Sequence, residues 1–459
     1  MAETHILVPE NEWLRSIISD EQGVTISQLP RPTIPRVPLI FSGIDQSNKK
    51  CYEPLLVSIG PYHHGKLPDY QEMENSKVTM ARQFVQQSGK HIEDIYKKVV
   101  DLAEQARRCY AEDESFKLDE FTRMMFLDGC FLIQFMHCLL DDHESLKMTS
   151  HAAAMVTRDV LLLENQLPFL FLKSLMNLRF GNDEKGMKLI KDFIKHIRAM
   201  PRQRDSCRKK ISKFFSKTIK RLLASNTNPK GVTVEEYSDA GHLLELFHMH
   251  FVGRNVPIEC SRTSVYRYHP AMDLRRVGIH FKPSKTNQFT DVHFKPTWLA
   301  GRLQIPPLTI DDSTKSLLLN LVAYEACTSN QALWVTSYIC FMDSLIDHPE
   351  DVRELRLQGI LLITLGSEQE VAKLFNEIAN YLVPNPYAFN KVKKGIESHY
   401  RNTFKRWILH YKGPIYTVIF KYSFIFGLII SALKYVKVFP TEPLYGVCRV
   451  PATNVTLYP

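Results

Sequence analysis

The chain has 459 residues, of which 44% are apolar and 23% are charged, values close to those of soluble globular proteins. This composition excludes a disordered chain and a polytopic membrane protein as the overall class. The nine cysteines are scattered, without a CxxC pair, so they indicate reduced thiols in the cytosol rather than a disulfide framework or a zinc module.

The first 30 residues are predicted to form a loosely ordered lead. They do not match a signal peptide, because Glu3 precedes any basic residue and Pro9 interrupts the apolar stretch. Myristoylation needs a glycine after the initiator, and Ala2 stands there instead. The body that follows, residues 31–412, is therefore expected in the cytosol as one helical domain.

The first half of the body is predicted to be helical after a proline-rich entry and a short β-like run, Leu55–Ile59, which Gly60 and Pro61 stop. Apolar residues then recur at helical spacing. Phe121–Leu140 is apolar enough for a buried central helix, and Pro168 should kink or restart the third helix after Leu167. The predicted helices are Gln71–Tyr110, Phe121–Leu140, Arg158–Met176 and 240–252.

The basic residues are concentrated in one segment. Eleven of them and a single acidic residue lie from Lys195 to Arg221, so this window has a charge of +10. The net charge of the whole chain is +9, so the remaining residues sum to −1. Such a local excess does not imply a nucleic-acid partner. We interpret residues 181–234 as a basic insertion and expect 195–221 to be exposed, because that charge cannot be buried without acidic partners.

Several interpretations of this basic segment remain open. Its apolar residues lie broadly on one side, which suits a membrane surface with acidic lipids or a calmodulin-like groove. A nuclear import signal and a solvated helix that covers the core are the other two. The residues predicted to contact an anionic surface are Arg208, Lys209, Lys210, Lys213, Lys217, Lys220 and Arg221.

The second half begins with a change of period. Three alternating segments between about 277 and 307 predict a small antiparallel β-meander. Helices then resume, with a first-turn signature at Pro349 and a capping box formed by Ser367 and Glu370. The predicted helices are Ser313–Cys327, Leu333–Ile346, Pro349–Leu365 and Ser367–Leu382. The predicted fold class is therefore mainly α.

The polar residues do not form a known catalytic, cofactor-binding or metal-binding motif. His63 and His64 follow a Gly-Pro turn, and Glu164 lies inside the apolar run LLLENQLPF. Glu164 could act as an acid or base, but we interpret it as a structural carboxylate bonded to neighbouring backbone or to Arg158. Similarly, we interpret Asp128 as a paired buried residue. We assign no catalytic residue, cofactor or metal.

The C-terminal region is predicted to be a membrane anchor. Gly413–Leu433 contains eleven Ile, Val, Leu and Phe residues and as a helix would be about 31 Å long, against a hydrocarbon core of about 30 Å. Lys421 near its centre opposes insertion, which leaves a buried helix as the alternative. In a single-pass protein with a cytosolic body, the tail 434–459 would face the lumen or the outside, where Asn454 could be glycosylated.

Several ordered strings make the chain resemble the plant family known as domain of unknown function 247, from about Pro38 to the C-terminus. The strings include CYEPLLVSIGPYHHGK, MMFLDGCFLIQFM, RDVLLLENQLPFLFL and LQIPPLTIDDSTKSLLLNLVAYE. The resemblance implies a plant protein with a largely helical body, a C-terminal anchor and no established catalytic residues. Family members in grasses are linked to self-incompatibility as pollen-side specificity proteins, which suggests recognition or signalling.

Three functional hypotheses follow. We favour a recognition or signalling protein without catalytic activity, anchored in the plasma membrane or an endomembrane and bound to a protein partner. The first rival is an enzyme that uses Glu164, His63 and His64 in a shared cleft. The second is a soluble nuclear or stress-related binding protein, which requires that the C-terminal segment does not span a membrane.

Overall fold

A computed structural model of the chain describes residues 33–43, 46–66, 70–111, 116–198, 240–253, 269–297, 300–328, 332–364, 366–401 and 412–438, with the side chains of 420–434 in the last range. Most of the basic segment, the predicted lead and Asn454 lie outside these residues. The described part is mainly helical, as predicted, and it contains two small sheets where one meander was expected. The chain divides into two compact units, Met1–Glu397 and Ser398–Pro459.

The first half of the larger unit is a helical bundle around one buried helix. Its helices are α1 (Leu39–Ser42), α2 (Gln46–Lys49), α3 (Tyr70–Ser88), α4 (Ile92–Arg107), α5 (Leu118–Asp141), α6 (Ser150–Asp159), α7 (Phe169–Phe180) and α8 (Asp183–Arg198), with a short 3₁₀ turn at His143–Leu146. Helix α5 packs against α3, α4, α7 and α8, and most of its residues are buried. The predicted central helix is thus confirmed.

The second half continues with α9 (Leu243–Val252), α10 (Ala271–Arg276), β1 (Ile279–Pro283), β2 (His293–Pro296), β3 (Gly301–Ile305), β4 (Leu308–Ile310), α11 (Thr314–Cys327), α12 (Trp334–Asp343), α13 (Pro349–Leu357), β5 (Leu361–Ile363), α14 (Glu368–Ala379) and α15 (Asn390–Arg401). Helix α12 packs against α9, α11 and α14. The last helix, α16 (Lys412–Val438), lies in the smaller unit.

The predicted antiparallel meander is wrong in its topology. The sheet has the order β1-β3-β2, in which β1 pairs with β3 in parallel and β2 pairs with β3 in antiparallel register. Strand β3 alternates buried and exposed residues and takes the central position. Alternation along each strand indicated strands but carried no information about pairing order, which depends on contacts between distant residues.

Two predicted helices are too long. Residues after Asp159 turn away from the helix until Pro168, and α7 restarts at Phe169, so the restart at Pro168 is confirmed but the continuous helix is not. Helix α13 ends at Leu357, and Gly359 then adopts a positive φ of 74°. The following apolar residues form β5, which pairs in parallel with β4. An apolar run of this length fits either a buried strand or a helix.

Three other predictions concern a long helix, a capping box and the basic insertion. Gly89 adopts a φ of 65° and divides the predicted helix 71–110 into α3 and α4. The capping box is confirmed, since Ser367 N donates to Glu370 Oε2 at 2.7 Å and Glu370 N donates to Ser367 Oγ at 3.2 Å. Helix α8 lies at the start of the predicted insertion and buries Ile190, Phe193 and Ile194.

Candidate functional site

Glu164 and His63, which the enzyme hypothesis placed in one cleft, do meet. Glu164 Oε2 lies 3.4 Å from His63 Nε2, and both side chains are less than one-fifth exposed. Glu164 Oε1 accepts a hydrogen bond from Val37 N at 2.7 Å. Burial would raise the pKa of Glu164, but His63, the Val37 N–H and the nearby Arg36 outweigh it and lower that pKa. Glu164 is therefore a carboxylate bonded to backbone, as predicted.

The third member of the proposed cleft, His64, packs elsewhere. Its ring contacts Phe116 edge-on, with 5.7 Å between the ring centroids. The walls of two small cavities, with volumes of about 10 and 70 Å³, do not include Glu164, His63 or His64. The structure thus brings Glu164 and His63 together, whereas His64 contacts Phe116.

Side chains in and beside the LLLENQLPF stretch hold residues 50–60, which have no strand partner. We call these residues the extended segment. Asp159 accepts hydrogen bonds from the backbone N–H groups of Leu55, Leu56 and Val57 at 2.7–3.0 Å. Asn165 accepts from Ile59 N at 2.6 Å and donates to Val57 O at 3.0 Å. The predicted β-like run is therefore extended, but side chains provide the hydrogen bonds that a neighbouring strand would otherwise supply.

Further side chains bind the start of this segment. Arg158 donates to the carbonyl groups of Lys50 and Glu53 at 2.6 and 3.0 Å, and it pairs with Asp159 rather than with Glu164. The suggested Arg158–Glu164 contact is therefore wrong. Asn320, from α11, donates to Cys51 O at 2.9 Å. Contacts from both halves of the unit thus fix one irregular segment.

A buried ion pair holds the end of the segment against α5. Lys77 Nζ donates to Asp128 Oδ1 at 2.6 Å and to Ser58 O at 2.7 Å, and Gly60 N donates to Asp128 Oδ2 at 2.8 Å. Burial alone would lower the pKa of Lys77, but Asp128 and Glu74 raise it. The prediction that Asp128 is a paired buried residue is confirmed. We call the side chains Lys77, Asp128, Asp159 and Asn165 the polar clamp.

The second half contains a buried acidic cap that the sequence did not indicate. Glu325 accepts hydrogen bonds from Val335 N, Thr336 N, Thr336 Oγ1 and His248 Nε2, all at 2.7–2.9 Å. It therefore satisfies two of the free N–H groups at the start of α12, where Leu333 has no side chain that could do so. The signal was the absence of a local cap, but nothing in the sequence identified the partner.

His242 lies beside this cap and is fully buried. Its Nδ1 accepts a hydrogen bond from Glu245 N at 3.2 Å, and its ring contacts Tyr324 edge-on. Burial, reinforced by His248, lowers the pKa of His242 to about 3, so the imidazole is neutral at physiological pH. Among the described residues, no group of three His, Cys, Asp or Glu could hold a metal ion.

Helix α16 presents a different kind of surface. Its 27 residues correspond to a length of about 40 Å. Every described side chain, from Phe420 to Lys434, is exposed. Nine of these are large and apolar or aromatic, with exposed fractions of 40–73%: Phe420, Tyr422, Phe424, Ile425, Phe426, Leu428, Ile429, Ile430 and Leu433. Monomeric soluble proteins rarely expose a large contiguous patch of apolar side chains.

Helix α5 provides the contrast. Within the described part of the chain it is the one helix found to be long and apolar enough to cross a membrane, and 78% of its most apolar stretch is buried inside the protein. It is therefore a core helix. Among the described residues α16 is not found as a candidate span, so the predicted anchor stays a prediction. The residues proposed to contact an anionic surface lie outside the described residues.

Comparisons with known proteins give a consistent result. A family model described as a plant protein of unknown function, DUF247, matches residues 34–430. The UPF0481 protein At3g47200 of Arabidopsis thaliana is 28% identical over 419 residues, which cover 87% of this chain and 84% of that protein. A second Arabidopsis thaliana protein, the putative UPF0481 protein At3g02645, is 23% identical over 431 residues, or 79% and 80% of the two chains. No solved structure matches.

Proposed function

The chain belongs to the plant family DUF247, and from this premise we propose that it is a recognition or signalling protein without catalytic activity, anchored in a membrane by α16. The observation that carries the proposal is the exposure of the nine large apolar and aromatic side chains between Phe420 and Leu433. Left in water, they would forgo a large hydrophobic stabilisation, roughly 25 cal/mol for each Å² of apolar surface. A bilayer removes that surface from water.

The length and hydrogen bonding of α16 support the same proposal. A helix satisfies its own backbone N–H and C=O groups, so it can enter the bilayer without leaving them unpaired. At about 40 Å it exceeds the hydrocarbon thickness of about 30 Å, which leaves turns at both ends for the interface. The basic residues Lys412, Lys434 and Lys437 lie near those ends, where lysine side chains can reach the headgroups.

Alkaline carbonate extraction tests the anchor. We expect the full chain to stay with the membrane pellet and a chain that ends before Lys412 to be released. The matched control replaces Ile425 and Ile429 with lysine, which keeps the length and raises the cost of insertion by roughly 2.5–3.5 kcal/mol for each lysine near the centre. Release of the unmodified chain by carbonate would contradict the proposal, and so would retention of the truncated chain.

The absence of catalysis is part of the proposal. We infer that the His63–Glu164 pair has a structural role, because Glu164 also binds Val37 N and so links the entry segment to the turn that follows α6. The test is a screen of the purified protein with ester and phosphoester substrates. The inference would be contradicted if the unmodified protein turned over a substrate and the Glu164→Gln variant, although still folded, did not.

Recognition requires a partner, and we propose two kinds of contact. The helical body would bind a protein partner on the cytosolic side, and the basic residues between 195 and 221 would contact acidic lipids. The charge of this segment supports the second contact, since each Lys or Arg near an anionic surface contributes about 1 kcal/mol. That this chain shares the self-incompatibility role linked to grass relatives is a hypothesis that depends on the family resemblance alone.

A further inference from the structure

Lys421 is the one charged residue inside the apolar run of α16. It lies nine positions after Lys412 and thirteen positions before Lys434, or about 14 and 20 Å along a helix. Its side chain is exposed, as are its described neighbours. This inference rests on the proposed function, because only in a membrane does the position of Lys421 become a problem of charge.

The depth of Lys421 exceeds what its own side chain can bridge. The predicted span Gly413–Leu433 is centred on Ser423, so the Cα atom of Lys421 lies about 3 Å from the midplane and about 12 Å from the edge of the hydrocarbon. A lysine side chain is a four-carbon stem of about 6 Å. Lysines near the ends of a span reach the interface, whereas one at the centre is among the costliest residues to insert.

The neighbours of Lys421 on the helix do not offset the charge. Positions three and four residues away, which share its face, are Thr417, Val418, Phe424 and Ile425. No Asp or Glu occurs anywhere between Lys412 and Val438. A second copy of the helix would bring a second lysine to the same depth, and like charges repel. Self-association through this face is therefore unfavourable.

We propose that the Lys421 face of α16 binds the transmembrane helix of a different protein, one that carries an Asp or Glu near the middle of its own span. Charged residues within spans pair with one another or face a bundle interior. A carboxylate at matching depth would complement the lysine and would exclude helices that lack it. The pairing would also explain how a helix with a central lysine remains in the membrane.

The test uses the full chain and two defined probes in the same bilayer. Each probe is a single-pass protein with a leucine-rich span of 21 residues, which carries one glutamate at its centre in the first probe and leucine there in the second. Association is measured by resonance energy transfer between labelled chain and labelled probe. We expect roughly threefold to thirtyfold tighter association with the glutamate probe, which corresponds to the ~0.6–2 kcal/mol of interhelical polar contacts in membranes.

Two variants isolate the lysine. Lys421→Leu should insert at least as well as the unmodified chain but bind both probes equally, whereas Lys421→Arg should retain the preference for glutamate. Equal binding of both probes by the unmodified chain, while carbonate leaves it in the membrane, would overturn this inference and leave the anchor intact. Release of the chain by carbonate would overturn the anchor and the inference together.

Discussion

Lys77 is completely buried, and three oxygens compensate for its charge. They belong to Asp128, Glu74 and Ser58, each 2.6–2.7 Å from Nζ. A buried ion pair of this kind contributes little net stability when complete, but removal of one partner leaves an uncompensated charge. The pair therefore fixes which residues meet, and it does so at the junction of α3, α5 and the extended segment.

The substitution Lys77→Met tests this role. It leaves Asp128, which is 1% exposed, without its cation, so we expect a loss of about 3–5 kcal/mol in the free energy of unfolding. Urea denaturation would measure it. The matched control is Arg123→Met, which breaks an ion pair to Asp119 whose partners are both about 70% exposed and should cost less than about 1 kcal/mol. Similar losses for the two variants would contradict the interpretation.

His242 predicts a pH dependence of stability. Its pKa falls from an ordinary 6.5 to about 3 in the folded protein. Below pH 6.5 the unfolded chain therefore binds a proton that the folded chain does not, so stability falls as the pH falls from 6.5 towards 3. The loss for one group is at most about 1.4 kcal/mol per pH unit.

The substitution His242→Asn removes this titration but keeps a side-chain oxygen that can cap α9. We expect the decline in unfolding free energy between pH 6 and pH 4 to be shallower in this variant. His151→Asn is the control, since His151 is exposed and its replacement should leave the slope unchanged. An unchanged slope in the His242 variant would show that the buried imidazole does not contribute.

Some of these residue roles could be predicted from the sequence, and others could not. A single Asp inside an apolar helix must have a partner, so the pairing of Asp128 was predictable. The identity of Lys77 as that partner was not, because 51 residues separate the two and no local pattern connects them. The same holds for Glu325, whose carboxylate caps a helix that begins nine residues later.

At the level of elements, composition alone does not decide where an apolar helix lies. Helices α5 and α16 are both long and rich in Leu, Ile and Phe, yet the residues of α5 are mostly buried and the described residues of α16 are all exposed. The position of Asp128 partly indicated that α5 lies in the core, because a carboxylate in an apolar helix needs hydrogen-bond partners that the rest of the protein can supply. For α16 the sequence predicted a membrane anchor, and the described side chains of this helix are exposed.

The connection between α6 and α7 shows where prediction from periodicity fails. Asp159, Asn165 and Gln166 lie in an apolar run that favoured a continuous helix, but their side chains hydrogen-bond to backbone groups. Short polar side chains compete with helical hydrogen bonding in this way. Strand order in the small sheet and the β4–β5 pair were missed for a related reason, since both depend on contacts between distant parts of the chain.

Removal of the clamp at Asp159 should release the extended segment. In Asp159→Ala the N–H groups of Leu55, Leu56 and Val57 lose their acceptor, so we expect their amide hydrogen exchange to accelerate more than that of α5. Each buried group left unsatisfied costs about 1–3 kcal/mol. Asp141→Ala is the control, because the Asp141 side chain is 69% exposed. Equal exchange at residues 55–57 in the two variants would contradict the clamp.

At the scale of the whole molecule, the proposed lipid contact predicts a dependence on salt. A peptide of residues 195–221 should bind liposomes that contain phosphatidylserine, and binding should weaken as salt rises, since the screening length falls from about 10 Å at 0.1 M to about 3 Å at 1 M. Neutral liposomes are the control. Binding that salt does not change, or equal binding to neutral liposomes, would remove lipid contact from the proposal.

In the proposed arrangement α16 crosses a membrane and leaves the tail on the far side from the body. Glycosylation in a microsomal insertion assay tests it most directly, because the sequon Asn454-Val455-Thr456 is modified only in the lumen. We predict that the full chain gains one glycan that a glycosidase removes, and that Asn454→Gln gains none. If the chain remains unmodified while an added sequon in the body is glycosylated, the orientation is wrong. If neither site is modified and carbonate releases the chain, α16 does not anchor it.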